Sequence, residues 1–191
     1  MTDWHLILGI ISGVIGAASI VPYVYDILYG TTRPNIVTSS VWTLLQGIVV
    51  AAQWSAGASW SIILPAVLCF NTAFVTVLCL RGYGYKNYGL IDKLCFVLAL
   101  LAIVLWQITA NPLVGLLLAI VADLLATVPT IVKTYKEPRS ESLPAWLMSI
   151  VASVLALIST TRLDVANVAY PIYFIGVDIT ITFLALRRYR K

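Results

Sequence analysis

Charged side chains are scarce in this chain of 191 residues: they make up 10% of it, whereas 61% is hydrophobic. So little charge excludes an ordinary water-soluble domain, in which about 25% of the residues are charged. Between its polar breaks the chain has seven apolar stretches, most of them near the roughly 20 residues that a membrane-spanning helix needs. They cover residues 5–28, 36–55, 58–80, 93–109, 112–134, 144–161 and 165–187. We therefore predict an all-α membrane protein with seven transmembrane helices.

Residues that bind metals or form disulfides are also rare. The only histidine is His5, and the three cysteines, Cys69, Cys79 and Cys95, lie inside or at the ends of apolar stretches, as small core residues do. The sequence has no glycine-rich phosphate loop, no nucleophile–base spacing of a serine hydrolase, and no lysine in its last apolar stretch to carry retinal. We expect no enzyme activity, no cofactor and no metal.

If the chain changes sides of the membrane at every predicted helix, its basic residues fall almost entirely on one side. Of the twelve, only Arg162 falls on the opposite side. The more basic side takes Arg33, Arg81, Lys86, Lys93, Lys133, Lys136, Arg139, Arg187, Arg188, Arg190 and Lys191. Because cytoplasmic loops retain Lys and Arg, this predicts a multi-pass protein with its N-terminus outside and its C-terminus in the cytoplasm. The clusters are short and lie beside apolar stretches, so they indicate a lipid bilayer as partner and no nucleic acid.

Two parts of the sequence resemble each other. The segment from Ser19 through Pro22 and Pro34 to Trp42 recurs as Ala126 through Pro129 and Pro138 to Trp146, with a shorter turn in the second copy. Further on, Leu64-Pro65 aligns with Tyr170-Pro171, and Leu80-Arg81 aligns with Leu186-Arg187. The copies begin four helices apart, which is an even number, so they have the same orientation in the membrane.

The repeat predicts three parts: a triple-helix bundle over residues 1–85, an inverting linker helix over 86–111, and a second triple-helix bundle over 112–191. This arrangement resembles the SWEET and PQ-loop superfamily of transporters. The motifs that carry the resemblance are Ser19-x-x-Pro22 with Thr31-x-x-Pro34, then Thr127-Val-Pro129 with the turn from Lys136 to Pro144. The Pro-Gln pair of that family is replaced by Pro22-Tyr23 and Pro129-Thr130, and Ser40 stands opposite Pro144.

Pro22 and Pro129 lie late in the first and fifth predicted helices. A proline inside a helix removes a backbone hydrogen bond, so we expect a kink at each position. We expect Ser19 and Thr127 to help satisfy the carbonyl groups that the prolines release. The resemblance implies that these prolines act as hinges or gates during alternating access, and the alternative is a pair of static kinks.

Few polar residues fall at mid-depth in the apolar stretches, chiefly Gln46, Asn71, Asp123 and Asp178. A charge there costs at least about 2.5 kcal/mol on insertion scales, so both aspartates are functional candidates. In the alignment of the two copies, Asn71 is one position away from the residue that matches Asp178. The resemblance implies that they form a facing polar pair that binds substrate, and the alternative is that each bonds a neighbouring helix.

Asp123 has no polar counterpart in the first copy, where Gly16 aligns with it. Burial disfavours the charged carboxylate, so Asp123, Asp178 or both are candidates for proton coupling. Trp42 and Trp146 occupy matched positions, and Gln46 lies one turn beyond Trp42 on the same face. Either the two indoles stack on substrate with Gln46 nearby, or they are interfacial anchors.

These features together predict a small-molecule transporter. The resemblance suggests a sugar, an amino acid or a vitamin as substrate, since a vitamin-uptake family has a similar architecture. A membrane receptor or assembly factor built on the same frame is the first alternative, and a channel is the second. One complete chain is sufficient to enclose a pathway, and the sequence leaves homo-oligomers open.

Overall fold

The structure, a computed structural model, describes residues 4–55, 63–109, 112–159 and 165–189. Within these ranges all regular structure is helical, which confirms the all-α prediction. The α-helices are α1 (Trp4–Ala18), α2 (Ile20–Leu28), α3 (Ile36–Ser55), α4 (Ile63–Leu78), α5 (Leu90–Ile108), α6 (Pro112–Lys136), α7 (Leu143–Ser159) and α8 (Val165–Leu186). Each predicted apolar stretch contains helix, and the first is divided into α1 and α2. Arg162, Arg190 and Lys191, which entered the charge prediction, lie outside the described residues.

Three helices in the described ranges are long and apolar enough to cross a membrane. They are Ile7–Leu28, which runs through α1 and α2, Ala66–Tyr83, which continues α4, and Leu117–Lys136 in α6. α7 is apolar but shorter. The length and composition of these helices are compatible with a membrane protein, whereas seven crossings stay a prediction.

The two prolines of the repeat have different effects on their helices. The first helical segment is interrupted at Ser19, three residues before Pro22, with Ser19 itself in a helical conformation. Pro22 has no N–H to donate to the carbonyl group four residues earlier, so the weakened turn lies on the N-terminal side of the proline. α6, by contrast, continues without interruption through Pro129.

The helices form two compact units, which we describe separately. Unit 1 combines Met1–Thr32 with Thr134–Lys191 and therefore contains α1, α2, α7 and α8. Small residues allow α1 to approach α7 closely: a Cβ atom on Gly16 would lie 3.7 Å from that of Ala152. Beside it, the Ser12 hydroxyl donates a 2.8 Å hydrogen bond to the Ala152 carbonyl.

Unit 2 is Arg33–Lys133 and contains α3, α4, α5 and most of α6. Its core is formed by Val41, Leu45, Ala99, Ile103, Ala122 and Ala126. Asn35 begins α3, because its side-chain oxygen accepts from the Val37 N–H at 2.9 Å. The same side chain donates to the Asp92 carboxylate at 2.8 Å, and Asp92 also accepts from the Gly89 N–H at 2.7 Å. This arrangement fastens the beginning of α5 to the beginning of α3.

The two units do not follow the predicted repeat. Unit 1 contains the first helix of the first copy and the last two helices of the second copy, and unit 2 contains the remainder. The predicted boundaries near residues 85 and 111 stay a prediction.

The close contact between α1 and α7 makes the size of residue 16 critical. We expect Gly16→Leu to destabilise the protein by about 1–3 kcal/mol, because the larger side chain must push the helices apart. Gly16→Ala adds only a methyl group at ordinary contact distance and should unfold near the wild-type temperature. The measurement is thermal unfolding in detergent, with Val14→Leu as the control, since Val14 is exposed on the same helix. Equal melting temperatures for Gly16→Leu and Val14→Leu would contradict the packing.

Candidate functional site

Asp178 is the most deeply buried acidic residue of unit 1, with none of its surface exposed. It lies on α8, and its Oδ2 atom accepts hydrogen bonds from Ser149 at 2.7 Å and Ser153 at 3.2 Å. The two serines are one turn apart on α7, so they present their hydroxyl groups from the same face. A buried carboxylate needs such donors, since hydrogen bonds to a charged group contribute about 1.5–3 kcal/mol.

One turn beyond Asp178, α8 carries a second buried polar residue, Thr182. Its hydroxyl oxygen has no hydrogen-bond partner among the described residues, although the side chain is only 6% exposed. A buried hydroxyl without a partner costs free energy. Asp178 and Thr182 therefore form a buried polar strip on α8.

A second buried carboxylate, Glu141, begins the α7 region of unit 1. Its Oε2 atom accepts from the Trp146 indole N–H at 2.8 Å and from the Tyr23 hydroxyl at 3.3 Å. The next residue, Ser142, donates to the Asp26 carboxylate. Tyr23 and Asp26 are both on α2, so these bonds join the segment that follows the Ser19 interruption to the start of α7.

The buried carboxylate of unit 2 is Asp123, which is 2% exposed near the middle of α6. Thr127, one turn later, donates to the Asp123 main-chain carbonyl at 2.7 Å and lies 3.5 Å from its Oδ2 atom. The Thr130 hydroxyl donates to Thr38 at 2.8 Å, and Thr38 donates to the Ala126 carbonyl at 2.6 Å. Buried polar groups therefore continue from Asp123 along one face of α6.

The remaining predicted site residues have more varied surroundings. Trp42 is half-buried against the core of unit 2, and Gln46 and Asn71 are half-buried on α3 and α4. Trp146 is buried in unit 1, where its indole is engaged by Glu141. Asn71 and Asp178 belong to different units, so their predicted facing arrangement stays a prediction.

The hydroxyl groups near the prolines bond carbonyls other than those that the prolines release. Pro22 and Pro129 release the carbonyls of the residues four places earlier, at positions 18 and 125. Ser19 instead donates to the Gly16 carbonyl at 2.8 Å, and Thr127 donates to that of Asp123. Serine and threonine in helices reach carbonyls three or four residues back. Ser19 and Thr127 lie only one and two residues after the freed carbonyls, so their hydroxyl groups do not reach them.

Sequence analysis did not identify Ser149, Ser153, Thr182, Glu141 or Thr130 as site residues. A signal existed for some of them: residues 149 and 153 are one helical turn apart, as are 178 and 182, and polar residues recur on one face of α6 at 123, 127, 130 and 134. Among the residues that the structure describes, no group of three or more His, Cys, Asp or Glu side chains is arranged to hold a metal ion.

Comparison with protein-family models, with curated proteins and with solved structures finds no match to this chain.

The hydrogen bond between Trp146 and Glu141 should contribute to stability. We expect Trp146→Phe to lower the free energy of unfolding by about 1.5–3 kcal/mol, because the buried carboxylate loses a donor that phenylalanine cannot replace. Thermal unfolding measures the effect, and Trp4→Phe is the control, since Trp4 is exposed. If both variants unfold at the same temperature, the bond to Glu141 is not a stabilising contact.

Proposed function

We propose that this chain is a seven-span membrane transporter for a small molecule, with two parallel triple-helix repeats joined by an inverting helix. In this proposal the N-terminus is outside and the C-terminus is in the cytoplasm. The repeats alternate access to a polar site at mid-depth, and Pro22 and Pro129, with Ser19 and Thr127, act as hinge or gate residues.

The observation that carries the proposal is the polar strip on α8. Asp178 is fully buried and is the only Asp, Glu, Lys or Arg residue of α8. Two serine hydroxyls donate to it, and the Thr182 hydroxyl one turn away has no partner in the described ranges. A carboxylate at that depth is costly and is kept in membrane helices for binding, transport or proton transfer. A substrate that donates a hydrogen bond would give the Thr182 hydroxyl a partner.

The repeat has support from matched contacts inside the two units. By the sequence alignment, Thr38 corresponds to Ser142, and Thr130 corresponds to Tyr23. In unit 2 the α6 helix bonds the start of α3 through Thr130 and Thr38. In unit 1 the α2 helix bonds the start of α7 through Asp26 and Ser142. In each unit, then, the first helix of one copy is fastened to the second helix of the other copy.

Within this proposal Asp178 and Asn71 contact substrate, with Trp42, Trp146 and Gln46 near the same pathway. Asp123 and Asp178 are the candidates for proton coupling, since both are buried carboxylates. Sugars, amino acids and vitamins are the substrate classes to test. An acidic residue in the binding pair favours a substrate with an amine or coupling to protons.

The proposed topology has a direct test in two loops. In a background without the native cysteines, Arg162→Cys should react with a membrane-impermeant maleimide in intact cells, because its loop is proposed to be outside. Lys86→Cys should react only after permeabilisation, because its loop is proposed to be cytoplasmic. Labelling of both in intact cells, or of neither, would rule out the proposed arrangement of helices.

The proposed transport is tested by uptake into proteoliposomes from a panel of sugars, amino acids and vitamins, with and without an inward proton gradient. We expect saturable uptake and counterflow of at least one class. Asp178→Asn should lower the apparent affinity roughly 10- to 100-fold, because a hydrogen bond to a charged group contributes about 1.5–3 kcal/mol.

Two threonines on α8 provide a matched pair of variants for the same experiment. Thr182→Val removes the buried hydroxyl and should weaken uptake, whereas Thr180→Val removes an exposed hydroxyl that bonds the Gly176 carbonyl of its own helix. Thr180→Val should therefore transport like the wild type. Binding without counterflow would identify a receptor, linear non-saturating flux would identify a channel, and the absence of both binding and flux would remove the proposal.

A further inference from the structure

α6 presents a row of buried polar side chains that begins at Asp123 and extends toward only one end of the helix. We call Asp123, Thr127 and Thr130 of α6, together with Thr38 of α3, the hydroxyl stripe. Each member is at most 3% exposed. The three α6 positions recur at the spacing of one helical face. At the same end, the buried Lys133 donates to the Arg33 carbonyl.

The hydroxyl stripe extends from Asp123 in only one direction along α6. Toward the Lys133 end of α6, hydroxyl groups follow Asp123 at every turn of this face. Toward the other end, the residues three and four places before Asp123 are Ile120 and Ala119, which offer no polar group. A hydroxyl both donates and accepts hydrogen bonds, so a row of them lowers the barrier to moving a proton, whereas apolar side chains do not.

The contacts along the stripe include more than the ordinary bond from a threonine to its own helix. Thr127 lies 3.5 Å from the Asp123 Oδ2 atom, which is within reach after a small adjustment. Further along, Thr130 donates to Thr38 at 2.8 Å across two helices. The aligned positions of the first copy are Gly16, Ile20 and Tyr23, so the duplicated frame does not itself require these threonines.

The ionisable residues on the helices that pack with α6 in unit 2 are known from the sequence. α3 and α5 share the core of unit 2 with α6. The sequence of α3 contains no ionisable residue. The ionisable residues of α5 and α6 other than Asp123 fall near one end of each helix, and they are Asp92, Lys93, Cys95, Lys133, Tyr135 and Lys136.

We infer that Asp123 is a proton-binding site that exchanges its proton through the hydroxyl stripe with the compartment at the Lys133 end of α6. The proton adds to the carboxylate of Asp123 and leaves by the same route, so no other bond forms or breaks. This inference rests on the proposed function, in which proton movement is coupled to transport, and adds to it the route and the side of access.

The test uses the full-length protein in liposomes whose internal and external pH are set independently. Dicyclohexylcarbodiimide, a membrane-soluble reagent for protonated carboxyl groups, is added for a fixed time, and its attachment to Asp123 is quantified by peptide mass spectrometry. Reaction of Lys136→Cys with an impermeant maleimide identifies the compartment at that end of α6. Asp123→Asn is the blank for the labelled peptide.

We expect labelling of Asp123 to rise when the pH falls in the compartment at the Lys133 end and to stay constant when the opposite pH falls. Thr130→Val and Thr38→Val should slow this response several-fold, whereas Thr130→Ser, which keeps the hydroxyl, should respond like the wild type. Thr180→Val is the control for loss of a threonine hydroxyl elsewhere. Two valine variants are used so that a folding defect in one leaves the other to decide.

Labelling that follows the opposite compartment, follows both equally, never occurs at Asp123, or is unchanged in both folded valine variants would overturn the inference. Labelling does not depend on substrate, so the two proposals fail separately. Labelling that responds to pH in only the compartment at the Lys133 end, without any transport, would support the proton route and contradict the proposed function. Proton-coupled transport, with labelling of Asp123 that responds to pH in the opposite compartment, would support the proposed function and contradict the proton route.

Discussion

A carboxylate can remain among apolar helices only where a neighbouring group supplies hydrogen-bond donors, and this constraint fixes much of the packing in both units. In unit 1, Asp178 of α8 is met by Ser149 and Ser153 of α7. In unit 2, Asp92 of α5 is met by Asn35 at the start of α3. Because each set of donors has a fixed position along its helix, sliding one helix past its partner by a turn would take donors away from a buried carboxylate. Apolar packing alone has no such penalty. The carboxylates therefore determine how far one helix is shifted along its neighbour, whereas hydrophobic contacts determine only that the two helices pack together.

The extent of the helices was predictable from the sequence because their length follows from apolar runs, and these have sharp ends. The predicted stretch 36–55 coincides with α3, and 165–187 differs from Val165–Leu186 by one residue. The interruption at Ser19 was harder to predict from the sequence. Pro22 and Pro129 have the same local chemistry, yet only the first segment is interrupted. Proline removes a backbone bond in both cases, so this local rule does not by itself predict which of the two helices is interrupted.

The candidate site was predictable in part for a similar reason. Asp123 and Asp178 are conspicuous because charge is rare at mid-depth, so composition is sufficient to find them. Their hydroxyl partners are not conspicuous, since serine and threonine in apolar helices commonly bond their own backbone. Thr72 bonds the Leu68 carbonyl on the same helix, whereas Ser149 bonds a carboxylate on a different helix. The two residues have comparable apolar surroundings in sequence, and only the packing of α7 on α8 distinguishes a local bond from a site contact.

In the proposed repeat, aligned positions at the helix ends and aligned positions in mid-helix differ in what they require of a side chain. Matched positions use different groups in the same structural role, since Asp26 accepts from Ser142, whereas its counterpart Lys133 donates to the Arg33 carbonyl. An acidic or a basic residue can therefore link the end of a proline-containing helix to a neighbouring segment, provided that this segment offers a donor to the acid or an acceptor to the base. Mid-helix positions carry no such structural requirement, because Gly16 lies where Asp123 is found in the second copy. A buried carboxyl group costs free energy, and the proposed repeat does not require one at this position. This is the reason for proposing a role for Asp123 that its counterpart Gly16 does not share.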